Sequence, residues 1–457
     1  MNEIYIHDSL LNQKRKFEPI DSNNIRMYAC GPTVYNYAHI GNARMAIVFD
    51  TFARLLRSNY PNVTYVSNIT DIDDKIIEAA NELNVPINEL TEKYTNIYNQ
   101  DMANLNVLPP DIQPKATEYV QDMIKFIEKL VKNDKAYEKD GHVFFHVPSY
   151  PGYGKLSNRD VDQQLAGSRV QVSEIKKNQQ DFVLWKPSSD CQPGWDSPWG
   201  LGRPGWHTEC CVMSEVNLEI PFDIHGGGQD LLFPHHENEI AQSCASIDSD
   251  NPEEYAKYWM HNGFVTIDGE KMSKSLNNII LLNDLLKEHD GETIRLALLS
   301  SQYRKSLDWN KNLVKQADVF LNKAYDFLDN YDGDDTKGEL IGNISEHLSN
   351  DLDTPKAITS INELLKNRNS YDDSSIKKSI VYAGNILGIF CKKPSERSQQ
   401  NDFDDAEAKE IEKLINKRND LKQAKDFEGA DAIRDALYSK GIELIDSKEG
   451  TFWKSKK

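Results

Sequence analysis

No stretch of the 457-residue chain is apolar over the roughly 18 residues needed to cross a bilayer, and the mean hydropathy is −0.63. A helical membrane protein is excluded on that pattern, and no membrane partner is expected. Cysteine is scarce as well. The six residues Cys30, Cys191, Cys210, Cys211, Cys244 and Cys391 lack the density and spacing of a secreted disulfide framework. The opening Met1-Asn2-Glu3-Ile4 has no basic segment followed by an apolar one, so no export signal is expected. A reduced, cytoplasmic setting follows from both absences. Positive charge is in deficit: 53 basic against 72 acidic side chains leave a net −19. On charge alone that argues against a nucleic-acid partner, since phosphate binding needs basic patches. Internal repeats are absent. What remains is an ordinary globular mixture, 39% apolar and 27% charged. The length suggests about three domains, at roughly 100–200 residues each.

Periodicity predicts an α/β opening. Ile25-Arg-Met-Tyr-Ala-Cys30 reads as a strand, breaks at Gly31-Pro32, and precedes a helix with Met45, Phe49, Phe52 and Leu56 at spacings of three and four. Val63–Asn68 reads as the next strand. Strand, glycine turn, helix and strand begin a parallel α/β unit. Helical patterns over Asp74–Asn84 and Ala116–Asn133 lead to a strand near Gly141–His146. From about Tyr150 to Gly205 the chain is rich in Pro, Gly, Ser and Trp and reads as an irregular insertion. The α/β pattern returns at Phe222–His225, with a glycine turn, a helix across His236–Ile247, and a segment around Tyr258–Val265. Beyond about Leu281 the pattern is nearly all helical, over Asn312–Asn330, Ser345–Leu365 and Ser375–Ile389. A linker at Lys392–Asn401 precedes a small unit of two helices and a short strand, Gly441–Ile445.

Two segments carry phosphate chemistry. Cys30-Gly-Pro-Thr-Val-Tyr-Asn-Tyr-Ala-His-Ile-Gly-Asn42 joins a strand to a helix, whose N terminus offers unpaired N–H groups to an anion. His39 sits where it could donate to the same anion, and Gly41 lets a ligand near the backbone. Alone, the segment reads equally as a Gly/Pro turn with a surface histidine. Asp268-Gly-Glu-Lys-Met-Ser-Lys-Ser-Leu276 is a short cationic loop suited to a triphosphate, or an ordinary surface turn. Together, His39-Ile-Gly-Asn42 and Lys271-Met-Ser-Lys-Ser275 resemble the HIGH and KMSKS signatures of class I aminoacyl-tRNA synthetases. Asn42 departs from the family's second histidine. His225-Gly-Gly-Gly-Gln-Asp230 then resembles the adenosine-binding surface, with Gly226, Gly227 and Gly228 beside ATP.

Soft ligands form a third pattern. Trp206-His-Thr-Glu-Cys-Cys211 has two adjacent thiols, and His235 and Glu239 stand four apart, on one helix face. Two thiolates, an imidazole and a carboxylate suit tetrahedral zinc. Residue chemistry alone leaves open Cys210 against Cys211, and His207, His235 or His236. The segments Cys30–Tyr35, Gly205–Cys210 and Phe233–Glu239 resemble motifs of the cysteinyl-tRNA synthetase family. That resemblance implies one zinc per chain on Cys30, Cys210, His235 and Glu239. It also implies a cysteine pocket of Gly31, Thr33, Thr70, Trp206 and Asp230.

The resemblance further implies a Rossmann-type parallel-sheet catalytic domain over 1–300, split by an insertion at about 115–205. A helical bundle over 301–395 and a small α+β anticodon-binding unit over 402–457 follow. The implied activity joins L-cysteine to tRNA-Cys using ATP with Mg, with His39, Asn42, Lys271 and Lys274 at the phosphates, in a cytoplasmic monomer. Within it, Gly450-Thr-Phe-Trp453 resembles part of the anticodon-reading end. A rival acceptor for activated cysteine is an amino sugar, and the tail after Lys393 argues against it. The segment 409–457 carries 12 basic against 10 acidic residues, and Lys14-Arg15-Lys16 is a second expected patch of basic surface.

Overall fold

The computed structural model describes residues 3–158, 175–189, 192–272, 276, 278–329, 331, 338–367, 371–393, 397, 405–424, 426–447 and 450–455. Its centre is a four-stranded parallel sheet in the order Ala256–Asn262, Phe222–Gly228, Ile25–Ala29, Val63–Ser67. These strands are covered on both faces, which is why they read as apolar runs with little alternation. Helix Ile40–Asn59 crosses one face and buries Ile40, Ile47, Phe49, Phe52 and Leu56. The other face packs on helices Val120–Lys132, Trp206–Leu218 and Glu237–Ser246.

Several local expectations change. The three glycines after His225 are not a turn: strand Phe222–Gly228 runs through them, fully buried, and the turn comes at Gln229-Asp230. The insertion is not irregular throughout. Strands Ala136–Lys139, His142–Phe145, Phe182–Pro187 and Gly202–Pro204 form an antiparallel sheet, its last two strands hidden in sequence among Pro, Gly and Trp. The pattern over Ser345–Leu365 is two helices, Ile344–Ser349 and Thr354–Lys366, broken where Asp351 and Leu352 take φ of 62° and 47°. An N-terminal hairpin, Tyr5–Asp8 with Gln13–Lys16, and helix Ile87–Asn104 were not foreseen.

After the sheet, hairpin Val265–Ile267/Glu270–Lys271 turns at Asp268-Gly269, with φ of 51° and 81°, the pair of positive values a two-residue hairpin turn requires. Helices Lys311–Leu328 and Asp373–Leu387 pack on the core. At the C terminus, helices Asp405–Gln423 and Phe427–Ser439 and hairpin Ile442–Ser447/Gly450–Ser455 enclose a separate small core of Ile411, Ile415, Leu437, Ile442, Leu444 and Trp453. Among the described residues no helix is long and apolar enough to cross a membrane.

Candidate functional site

At the carboxyl ends of the two central strands, Cys30 N–H donates to Gly226 O (3.1 Å), bringing the first strand's exit against the glycine strand. Cys30, Cys210, His235 and Glu239 converge there, all buried, with candidate ligand atoms within 4.8 Å of one another. Cys30 Sγ lies 3.7 Å from Cys210 Sγ and 3.8 Å from Glu239 Oε1, and His235 Nε2 lies 3.0 Å from that oxygen. A tetrahedral zinc, with bonds of about 2.3 Å to sulfur and 2.0–2.1 Å to nitrogen or oxygen, has edges of about 3.3–3.8 Å. The two separations from Cys30 match those edges, and the His235–Glu239 pair needs only a small opening. His235 Nε2 is buried and faces Glu239 Oε1 without the alignment of a hydrogen bond, as two ligands of one cation would. Burial pushes the Cys30 thiol well above its ordinary pKa and His235 well below. A bound cation would favour the thiolate and keep the imidazole neutral.

Neighbouring groups orient this set. Glu239 Oε2 takes Tyr255 OH (3.1 Å) and lies 2.8 Å from His225 Nε2, turning Oε1 toward the thiols. His235 Nδ1 lies 2.8 Å from His207 Nδ1, and Trp206 stacks on the His235 ring at 4.1 Å. Trp206 is 38% exposed, so it walls the site instead of filling a core. His236 Nε2 is 3.3 Å from Cys30 Sγ, and Cys30, His225, His236 and Glu239 form an alternative cluster with a single thiol. The two-thiol set is the softer one and the better match to zinc. Cys211 turns away and donates to Glu239 O (3.4 Å), Cys244 donates to Asn251 O (3.4 Å), and Cys391 accepts from Asn106 Nδ2 (2.7 Å). Cys191 lies outside the described residues.

Beside the thiols, Asn68 Oδ1 accepts from Gly31 N–H (2.9 Å) and Tyr28 OH (3.0 Å), and its Nδ2 donates to Thr70 Oγ1 (3.2 Å). Thr33 and Thr70 pair across a parallel bridge. Gly31, Thr33 and Thr70 thus share one rim with Cys210, whose Sγ is 4.0 Å from Asn68 Oδ1. Asn68 and Tyr255 escaped sequence reasoning, because a lone amide after a strand and a lone tyrosine carry no motif.

The segment expected to meet the phosphates forms a helix N terminus. His39 caps helix Ile40–Asn59: its Nδ1 accepts from Gly41 N–H (3.1 Å) and Asn42 N–H (3.3 Å). Asn42 Oδ1 accepts from His39 N–H (3.0 Å), completing a reciprocal cap. Asparagine at this position is therefore a structural fit. With Nδ1 accepting, the neutral imidazole carries its proton on Nε2. Burial lowers the His39 pKa, partly opposed by Asp230, an exposed residue just past the glycine strand. A Cβ on Gly226 would stand 2.1 Å from the Phe49 ring, so only glycine lets this strand lie on the helix. Gly227 lies against the His236 ring and Gly228 against the Asp230 carboxylate.

The lysine-bearing segment docks on the same helix start. Ile40 N–H donates to Ile280 O (3.0 Å) and Leu282 N–H to Ala38 O (2.8 Å), while Met272 lies against Gly41. Lys271 is exposed in the hairpin, and Lys274 lies outside the described residues.

Residues 16–319 match the family model "tRNA synthetases class I (C) catalytic domain". The chain is 47% identical over 461 residues to the cysteine–tRNA ligase of Parvibaculum lavamentivorans, covering 99% of this chain and 98% of that protein. It is 48% identical to the cysteine–tRNA ligase of Saccharophagus degradans, covering 98% and 99%. Among solved structures, it resembles Mycobacterium tuberculosis methionyl-tRNA synthetase in complex with methionyl-adenylate. That match has a TM-score of 0.57 at 15% identity, over 82% of this chain and 91% of the other, a likeness of fold. The chain belongs to the cysteine–tRNA ligase family of the class I aminoacyl-tRNA synthetases.

Proposed function

We infer that the chain activates L-cysteine with ATP and then transfers the cysteinyl group to the 3′-terminal adenosine of tRNA-Cys. In the first step a cysteine carboxylate oxygen bonds to the α-phosphorus. The bond to the bridging oxygen breaks, leaving cysteinyl-adenylate and pyrophosphate. The observation that carries this reading is a buried two-thiol, imidazole and carboxylate cluster at the same sheet edge as the His39 helix start.

Cys30, Cys210, His235 and Glu239 would hold one zinc, which when bound supplies a soft site for a substrate thiolate and so separates cysteine from serine. A pocket relying on shape discriminates such small changes only about 10–200-fold. Gly31, Thr33, Thr70 and Asp230 orient the amino acid's polar groups, with Trp206 as a wall. His39 donates from Nε2 to the phosphates; Asn42 holds His39 in place, and Lys271 and Lys274 neutralise the leaving pyrophosphate. Gly226, Gly227 and Gly228, buried within their strand, would set its carboxyl end close beneath the adenosine. Catalysis is positional and electrostatic, with no enzyme nucleophile. ATP arrives with Mg.

The catalytic unit spans 1–300 with its insertion at about 115–205. The bundle over 301–395 and the unit over 402–457 reach toward the tRNA anticodon, and the chain works as a cytoplasmic monomer. Trp453 packs in the small core, so base contacts at that end fall to other side chains.

Cys210→Ser tests the metal reading. Zinc content of the purified protein and cysteine-dependent ATP–pyrophosphate exchange should fall together. Zinc bound as in the unaltered chain would move the metal elsewhere. Spreading the roughly 10–16 kcal/mol of a structural zinc site over four ligands puts one ligand at about 2.5–4 kcal/mol, or about 10²–10³ in affinity.

A further inference from the structure

Lys271 is held by its own hairpin. Its Nζ sits 4.0 Å from the centroid of the Phe264 ring. Its backbone pairs with Thr266, and the turn beyond is fixed where Gly269 N–H donates to Asp308 Oδ1 (2.7 Å). Phe264 is anchored from beneath: its carbonyl accepts from Arg44 (2.7 Å). The same guanidinium donates to Gly263 O (2.9 Å) and Lys305 O (2.6 Å). Arg44 stands two residues beyond Asn42 on the helix whose N terminus forms the phosphate site, and it is fully buried. Burial lowers its pKa to about 10, so it stays charged at neutral pH. Carbonyl dipoles converging on one buried cation make a stiff joint between that helix and the root of the lysine hairpin.

We propose that Phe264, anchored by Arg44, is a positioning residue for Lys271, its ring face holding the ammonium in one place before ATP binds. This rests on Lys271 acting on the phosphates, as argued above. An ammonium already placed has less rotamer freedom to lose when nucleotide arrives. The attraction belongs to the π face, so an aliphatic side chain of similar bulk keeps the packing and loses the hold.

The experiment uses the full chain in cysteine-dependent ATP–pyrophosphate exchange, with Phe264→Leu, Phe264→Tyr, Lys271→Ala and the Phe264→Leu/Lys271→Ala double variant. Phe264→Leu should lower kcat/KM for ATP about 2–5-fold, the span of a partly exposed cation–π contact, and leave KM for cysteine unchanged. Phe264→Tyr should match the unaltered chain. In the Lys271→Ala background, Phe264→Leu should cost nothing further. Equal losses from tyrosine and leucine, or an additive loss in the double variant, would overturn the positioning role while leaving Lys271 at the phosphates. A silent Lys271→Ala would instead remove the reading of Lys271 and this proposal with it. Phe264→Met gives the same comparison should the leucine variant fail to fold.

Discussion

Gly41→Ala tests the proposed phosphate role apart from the proposed metal site. A methyl at position 41 would stand 2.9 Å from His39 Cε1 and 3.0 Å from Nδ1. Ordinary carbon contacts are about 3.5–4.0 Å, so the imidazole must retreat by roughly 0.5–1 Å. That movement breaks its bonds from Gly41 N–H (3.1 Å) and Asn42 N–H (3.3 Å). The lost cap costs about 0.5–2 kcal/mol of stability, which a core this large absorbs. The chemical cost is greater. A preorganised donor moved off its oxyanion loses about 10²–10³ in kcat, or about 2.7–4 kcal/mol. The assay is cysteine-dependent pyrophosphate exchange at saturating ATP, with zinc content and KM for cysteine measured in parallel. The expected result is a kcat lower by two to three orders of magnitude, with both parallel quantities unchanged, because none of the four metal-ligand candidates touches Gly41. Exchange as fast as in the unaltered chain would refute a role for the capped His39 imidazole in the transition state.

Removing residues 405–457 should spare pyrophosphate exchange, since their core is self-contained. It should weaken tRNA charging about 100-fold or more, the avidity lost when one of two linked contacts goes; equal loss in both assays would make the tail a structural prop. His261 predicts an acid dependence of stability. Buried between Ser9 Oγ and His236, each at 2.8 Å, it has its pKa pushed down to about 3 by burial. The unfolded chain takes up this proton below about pH 6.5 while the folded chain resists until about pH 3. Stability from this group is therefore complete above pH 6.5 and is lost on acidification, at about 1.4 kcal/mol per pH unit. From pH 7 to 5 the loss is about 2 kcal/mol, read by hydrogen exchange in the core, and His261→Gln should flatten that part of the slope. An unchanged slope in the variant would assign the dependence to other groups.

What could be read before folding follows from the range of the interactions involved. Strands Ile25–Ala29 and Val63–Ser67 and helix Ile40–Asn59 declare themselves because burial on both sides enforces long apolar patterns. Hairpin strand Gln13–Lys16 does not: it is four polar residues on a sheet edge, with no hydrophobic period to find. The glycines at 226–228 read as a turn because glycine signals backbone freedom, whereas at Gly226 it answers a crowding that only Phe49, far away in sequence, reveals. The four candidate metal ligands were legible as a donor set and through a family resemblance. Their supports, Tyr255, His225 and His207, are defined by contacts across 16, 14 and 28 residues, which no local pattern encodes. Asn42 is the reverse case: a departure from the signature in sequence, it completes the His39 cap once the helix is built.

The charge arithmetic failed for a related reason. On charge alone a net −19 argues against nucleic acid, and membership of the cysteine–tRNA ligase family argues for it. At physiological ionic strength a charge is screened over about 8 Å, so acidic side chains on one face do not repel a phosphate on another. Composition sums charges that never act on the same ligand. The local patch expected at Lys14-Arg15-Lys16 is thinned on the same physics from the other side. Lys14 donates to Asn350 Oδ1 (2.6 Å), Arg15 pairs with Asp8 and Glu253, and Lys16 pairs with Glu3. These cations tie the N-terminal hairpin to its surroundings; the charges of Arg15 and Lys16 are met by carboxylates, while the Asn350 amide that Lys14 meets is neutral and leaves its charge in place. A run of basic residues therefore counts toward tRNA only after its intramolecular carboxylates have been subtracted, and that subtraction needs the fold. For a chain this acidic the expected hold on tRNA rests more on shape than on charge density, and a shallow salt dependence of tRNA charging is the measurement that checks it.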